Sequence, residues 1–238
     1  VYTFTDYILG MPNETYESLL KGIAEIISDG QHDRIQFNIL SILPNAEMGD
    51  PEYQEMYGME TVRTAITNIH GKKNTSISGI EEKQDLVIAT NTMPREDWVR
   101  SVALCYMVAL TYFDKLLQIP IIILNDVYNI SYRGVFEAFI EKSKQPDEFP
   151  IFSEIFNFFH SFAKGLQNGE HEEFFHSKEY LDILWPPDEA VFIKLCREDK
   201  LGQCYAEAER MMLELIRSGQ SINPLFDAIK LNRSLIKL

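Results

Sequence analysis

Asp6-Tyr7-Ile8-Leu9-Gly10-Met11-Pro12-Asn13-Glu14-Thr15 runs an apolar strand into a tight turn and then straight into a helix. Gly10 and Pro12 are turn residues, Asn13 reads as the helix N-cap, and Glu14 reads as a first-turn charge that complements the helix dipole. Beyond them Tyr16, Leu19, Leu20, Ile23, Ile26 and Ile27 recur at helical spacing, Glu17, Lys21 and Glu25 fall off that stripe, and Gly30 marks the stop. A second apolar run, Ile35 to Leu43, ends in Pro44-Asn45-Ala46-Glu47. Strand, crossover helix and strand pack as a right-handed parallel unit, so the chain opens on one turn of an α/β layer. Gln36 and Asn38 alternate with Ile35, Phe37 and Ile39, which leaves polar side chains on one face of the second strand. They either line the interior of a closed parallel barrel or are simply solvated.

Downstream, Pro51 to Gly58 has the proline start and glycine stop of a short helix. Strand-like pieces follow around Val62, Thr64 and Ile66 and at Leu86 to Thr90, on either side of a polar loop. A long helix begins near Pro94, with a stripe running Trp98, Val102, Cys105, Tyr106, Ala109, Tyr112, Phe113 and Leu116. The remainder reads as mainly helical: a helix capped by Ser131, an aromatic-rich one over 151–166, then 188–197, 203–217 and 225–238. Ile119 to Leu124 is ambiguous between a strand and a buried helix.

The 238 residues, 45% hydrophobic and 24% charged, are those of a globular chain with a real core, in one domain or two. A formal net charge of -14 repels phosphate backbones and anionic lipid, so neither nucleic acid nor a membrane is an expected partner. No apolar run approaches the roughly 18 to 20 residues of a membrane helix, and a cytoplasmic protein is expected. The strand-like opening without an initiator Met points to part of a longer polypeptide. Cys105, Cys196 and Cys204 have neither disulfide-framework nor metal-site spacing and are expected to be buried structural thiols.

The opening turn, Ile8-Leu9-Gly10-Met11-Pro12-Asn13-Glu14-Thr15, resembles the Gly-Leu-Pro-Gly-Glu-Thr segment after a late strand of the partial barrel in radical S-adenosylmethionine enzymes. Gln36 to Met48 is similar to that family's last core strand and its Pro-rich loop. Asp50-Pro51-Glu52-Tyr53, Tyr57-Gly58 and Thr90 to Trp98 are similar to the subgroup with an N-terminal cobalamin-binding domain. Met11 stands in place of a leucine and Asn13 in place of the second glycine. The family's Cys-x3-Cys-x2-Cys loop is absent.

The resemblance implies the closing strands of a partial parallel (β/α) barrel in residues 1–50, an α+β connecting segment in 51–93 and a helical C-terminal domain in 94–238. The 4Fe-4S cluster ligands, and any cobalamin site, then belong to a missing N-terminal half, without which this segment is expected to be inert. In the intact enzyme the cluster reduces S-adenosylmethionine to a hydrogen-abstracting radical, and cobalamin commonly delivers a methyl group to a small-molecule substrate.

On that reading Gly10 and Pro12 let the backbone approach a bound adenosine, Ile8 and Leu43 offer apolar surface to the adenine with nearby main-chain groups free to bond it, and Asn38 reaches a ribose or carboxylate. Asn45 and Glu47 stand where such barrels meet substrate. Other readings stay open: the turn is purely structural, it takes a phosphate, or the helical part is a non-catalytic interaction or substrate-cover module. His171-Glu172-Glu173-Phe174-Phe175-His176 has its histidines five apart, a poor match to a zinc helix. His32 and His70 are expected to face solvent or cap, His160 to lie at a core edge, and the aromatic run at 155–162 to be buried or docked.

Overall fold

The computed structural model describes residues 2–67, 69–72, 82–170 and 181–236, and the backbone alone at 175–177. Strands β1 (Phe4–Leu9) and β2 (Arg34–Ile39) pair in parallel, with Phe4 opposite Arg34 and Leu9 opposite Ile39, and helix α1 (Tyr16–Ser28) crosses between them. The expected strand-helix-strand unit forms. Its cap differs from expectation: Thr15 accepts the Ser18 N–H at 3.0 Å and Ser18 Oγ accepts the Thr15 N–H at 2.8 Å, a reciprocal capping box. Asn13 instead sits in the turn at φ +67°, a left-handed conformation that asparagine tolerates.

The run from Ile35 to Leu43 is not one strand. Leu40 donates its N–H to the Leu9 carbonyl, and its own carbonyl accepts the Val87 N–H, both at 2.9 Å. The chain thereby leaves the parallel pair, and β3 (Ser41–Ile42) joins a second, antiparallel sheet. After helix α2 (Pro51–Tyr57), which ends at Gly58 with φ +58°, come β4 (Glu60–Ala65) and β5 (Lys83–Ala89), in the order β3-β5-β4. Leu40, Ile42, Met59 and Val87 make a small core of their own.

Helices α3 (Arg95–Val108), α4 (Gln118–Asp126), α5 (Tyr132–Lys142) and α6 (Pro150–Gln167) follow. A hairpin of β6 (Phe175–Ser177) and β7 (Ile183–Trp185) precedes α7 (Pro187–Arg197), α8 (Leu201–Leu213) and α9 (Asn223–Leu235). The hairpin had no signal in the sequence. His171 to Phe174 lie outside the described residues, and His176 is on a strand, not a helix. The ambiguous Ile119–Leu124 is helical because Asn232 on α9 accepts the Ile119 N–H at 3.0 Å and caps α4 from outside.

Helix α3 carries more than the expected stripe. Trp98, Val99, Val102, Ala103, Leu104 and Val108 are all 2% exposed or less, so it is a central helix, with α1, α5, α6 and α7 packed around it. One core runs from Leu9 and Ile35 through Trp98 and Phe152 to Ile229. Phe152 and Phe159 of the aromatic run are buried in it, while Phe158 stays half-exposed. Among the described residues no single helix is long and apolar enough to cross a membrane. The bent pair Arg95–Phe113 and Gln118–Asp126 passes on length and composition only.

Helix α6 begins at Phe149 without a side-chain cap of its own. Glu207 of α8, 2% exposed, supplies it by accepting the N–H groups of Ile151 and Phe152 at 3.0–3.1 Å. Glu207→Ala leaves those donors buried and unbonded and is expected to cost about 2–3 kcal/mol in urea unfolding, with Glu207→Gln costing less.

Candidate functional site

The turn after β1 is built around Glu14, which the sequence presented as a helix-start charge. It lies before α1 and folds back: Oε2 accepts the Gly10 N–H at 3.0 Å and Oε1 accepts the Tyr7 hydroxyl at 3.1 Å, while its carbonyl accepts Thr92 Oγ1 at 2.8 Å. Burial raises the Glu14 carboxyl above the ordinary range, against the pull of the Gly10 N–H, and burial with the neighbouring Glu14 pushes Tyr7 up. The Gly10 N–H is therefore spent on Glu14 rather than free to bond an adenine. Gly10 sits at φ +93°, and a Cβ there would meet Val87 Cγ1 at 3.7 Å and Leu40 Cβ at 3.8 Å, so its backbone conformation and not space demands glycine. Pro12 is half-buried beside it.

Side chains of β1 and β2 divide between two faces. Leu9 and Ile35 are buried toward the helices, and on the same face Tyr7 meets Phe37, which meets Phe113. The other face carries Asp6, Ile8, Gln36 and Asn38, with Ile8 directly opposite Asn38. Asn38 Nδ2 donates to Asp6 Oδ1 at 3.0 Å, and Gln36 Nε2 donates to Asn38 Oδ1 at 3.2 Å, a polar ladder beside an Ile8 that is 44% exposed. The structure thus brings Ile8, Gly10, Pro12 and Asn38 to one end of the parallel pair. Leu43, Asn45 and Glu47 are exposed on the loop beyond β3, and Leu43 follows an antiparallel strand rather than the parallel pair, because the chain turns at Leu40.

A second cluster went unseen in the sequence. Helix α3 ends in a π-helical turn, Ala109–Phe113, where the Asp114 N–H reaches the Ala109 carbonyl at 2.8 Å. Arg34 bonds Asp114 Oδ1 at 3.0 Å and Glu189 Oε1 at 3.5 Å, and His70 Nε2 meets Glu189 Oε2 at 2.8 Å. Asp188, 3% exposed, faces Asp114. Burial, then the neighbouring carboxylates, raises both aspartates, Asp188 to about 6. Arg34, His70 and Asp188 line one end of a cavity of about 450 Å³ beside β2, which Gln36 and Asn38 also line. His70 was expected to face solvent and does, but it is paired. His32 is not free either, since its Nδ1 shares a 2.7 Å hydrogen bond with the Tyr112 hydroxyl. The proline pair Pro186-Pro187 followed by two acids made Asp188 and Glu189 look like plain helix-start charges.

Cys105 and Cys204 are buried, their thiols raised by burial, and Cys196 is half-buried. Among the described residues no group of three or more His, Cys, Asp or Glu converges to hold a metal ion. What the chain offers instead is one wall of an organic-ligand site, at the C-terminal ends of parallel strands, the place where open α/β structures bind their ligands.

No family model matches the chain. It is 31% identical over 138 residues, 58% of its length, to the cobalamin-dependent radical SAM methyltransferase TokK of Streptomyces tokunonensis. It is 33% identical over 99 residues, 42% of its length, to the 2-(S-pantetheinyl)-carbapenam-3-carboxylate methyltransferase of Streptantibioticus cattleyicolor. The aligned parts are 20% and 14% of those relatives, so the chain corresponds to a minor part of each. The similarity supports a relation to the radical SAM, cobalamin-dependent methyltransferases.

Two outcomes are expected. Gly10→Ala forces a side chain into the left-handed region and should lower stability by about 1–2 kcal/mol in urea unfolding, whether or not ligand is present. Asp188, raised in the folded state, binds its proton more tightly there than in the unfolded chain. Its contribution to stability is full below the ordinary aspartate range and is lost as pH rises through about 6. Asp188→Asn should flatten that fall, read as the difference between wild-type and variant unfolding curves from pH 4 to 8.

Proposed function

We propose that this chain supplies the closing strands and a helical C-terminal domain of a cobalamin-dependent radical S-adenosylmethionine methyltransferase. The observation that carries the reading is the parallel β1-α1-β2 unit, whose Asp6-Ile8-Gln36-Asn38 face is open while its other face is buried. Parallel sheets are normally covered on both faces, and two strands alone make a marginal sheet. A face of this kind is completed by further strands and a bound ligand. The similarity to the two methyltransferases supports the same reading.

The described residues fit one side of a nucleoside. Ile8 offers apolar surface to an adenine, and Asn38 and Asp6, already bonded to each other, exchange that bond for ribose hydroxyls at little net cost. Glu14 does not touch the ligand. It holds the Gly10 turn so that the strand end keeps its shape. S-adenosylmethionine, reduced at a 4Fe-4S cluster, supplies the radical that takes hydrogen from the substrate, and cobalamin supplies the methyl group. The cluster cysteines and the cobalamin site are placed outside this sequence, and Asn45 and Glu47 toward a small-molecule substrate.

The test uses the full-length gene product purified without oxygen. It is expected to contain a Cys-x3-Cys-x2-Cys loop, iron, sulfide and cobalt, and to cleave S-adenosylmethionine. Ile8→Glu sets a charge against the adenine and is expected to weaken S-adenosylmethionine binding by about tenfold or more with iron content unchanged. A full-length protein without the cysteine loop, or one whose affinity ignores Ile8→Glu, overturns the reading.

A further inference from the structure

The cluster between β2, the π-helical turn and α7 has an unbalanced charge. Asp114, Asp188 and Glu189 set three carboxyls against the guanidinium of Arg34, and His70 meets only Glu189. Lys115, next to Asp114, is turned to the carbonyls of His32 and Asp33. Asp114 Oδ2 and Asp188 Oδ1 are both buried, and neither finds a hydrogen-bond donor. The two carboxyls nevertheless lie within hydrogen-bonding reach of each other, a contact that is favourable only when one proton is held between them. The Asp188 side chain is 3% exposed and lines the cavity of about 450 Å³ beside β2. Ile66, Ile69 and His70, all exposed, line the same cavity, so it meets solvent on their side.

A buried site that must take up a proton to be stable has room in its charge balance for another compact cation. We propose that the Asp188 end of this cavity binds the primary ammonium group of a small ligand, whose body lies along the Gln36 and Asn38 side chains. An ammonium carries the missing positive charge and three N–H donors for the unbonded carboxylate oxygens. A divalent metal is disfavoured, because the described acids and histidines do not converge on one point. On binding, the proton held between Asp114 and Asp188 leaves to solvent and the ammonium takes its place, so charge is conserved. The inference rests on the carboxyl cluster alone and stands or falls separately from the barrel reading.

The experiment titrates the purified protein near pH 6 with n-butylammonium, with n-butanol as the neutral isostere. Amide NMR shifts and calorimetry in two buffers of different ionisation enthalpy are the readouts. Saturable shifts in β2 and at the start of α7 with the amine alone, accompanied by net proton release, are expected. Asp188→Asn, nearly isosteric with the protonated acid, should weaken the amine by about tenfold or more, while Glu25→Gln on the exposed face of α1 leaves it unchanged. If Asp188→Asn fails to fold, Asp114→Asn serves, since it removes the same shared proton and should abolish the proton release. Equal response to n-butanol, undiminished affinity in the aspartate variants, or no saturable shift overturns the proposal.

Discussion

Leu40 is the residue on which the two sheets depend. Its N–H closes the parallel pair against Leu9 and its carbonyl opens the antiparallel sheet against Val87, so one peptide unit belongs to both. Backbone groups buried at this depth cannot be left unbonded, which fixes the position of the switch. Everything downstream follows from it: β3 pairs with β5, the loop from Leu43 to Glu47 leaves the end of the parallel pair, and the face holding Ile8 and Asn38 stays open. The Glu14 clasp does similar work at the adjacent turn, where a single carboxylate holds Tyr7 and Gly10 together.

Helix α3 organises the other side. Because it is buried on nearly every face, it serves as the post against which α1, α5, α6 and α7 pack, and its end determines what reaches β2. The π-helical turn at 109–113 changes the phase of the chain there, bringing the Tyr112 hydroxyl to His32 and the Asp114 carboxyl to Arg34. Long-range pairs then tie elements far apart in sequence, as Arg34 does with Glu189. The acid-rich junction is costly in isolation. A carboxyl pair in a dry site is tolerable when it holds a proton or meets a cation, and this one lies at the wall of a cavity.

Much of the fold was legible because it is written in local periodicity. The apolar stripe of α1, the proline and glycine bounding α2, the cap at Ser131 and the parallel pairing of β1 with β2 all follow from spacing and turn chemistry. The site was legible only in part. Ile8, Gly10, Pro12 and Asn38 come together as their places on a strand-helix-strand unit imply, but Leu43 does not, since a run of apolar residues looks the same whether it is one strand or two. The role of Glu14 was hidden because an acid before a helix has an ordinary explanation, and His70 and Asp188 were hidden because their partners lie more than seventy positions away.

By itself the sequence determined the elements, the sense of the opening unit, the acidic surface and the absence of a cysteine triplet, since each depends on neighbours within a few turns of chain or on simple counting. Tertiary structure alone decided where the second strand breaks, which acid closes the Gly10 turn, how fully α3 is buried and which carboxyls share a buried pocket. Those outcomes depend on desolvation and on the satisfaction of buried hydrogen bonds between distant segments. Neither quantity exists until the chain has folded.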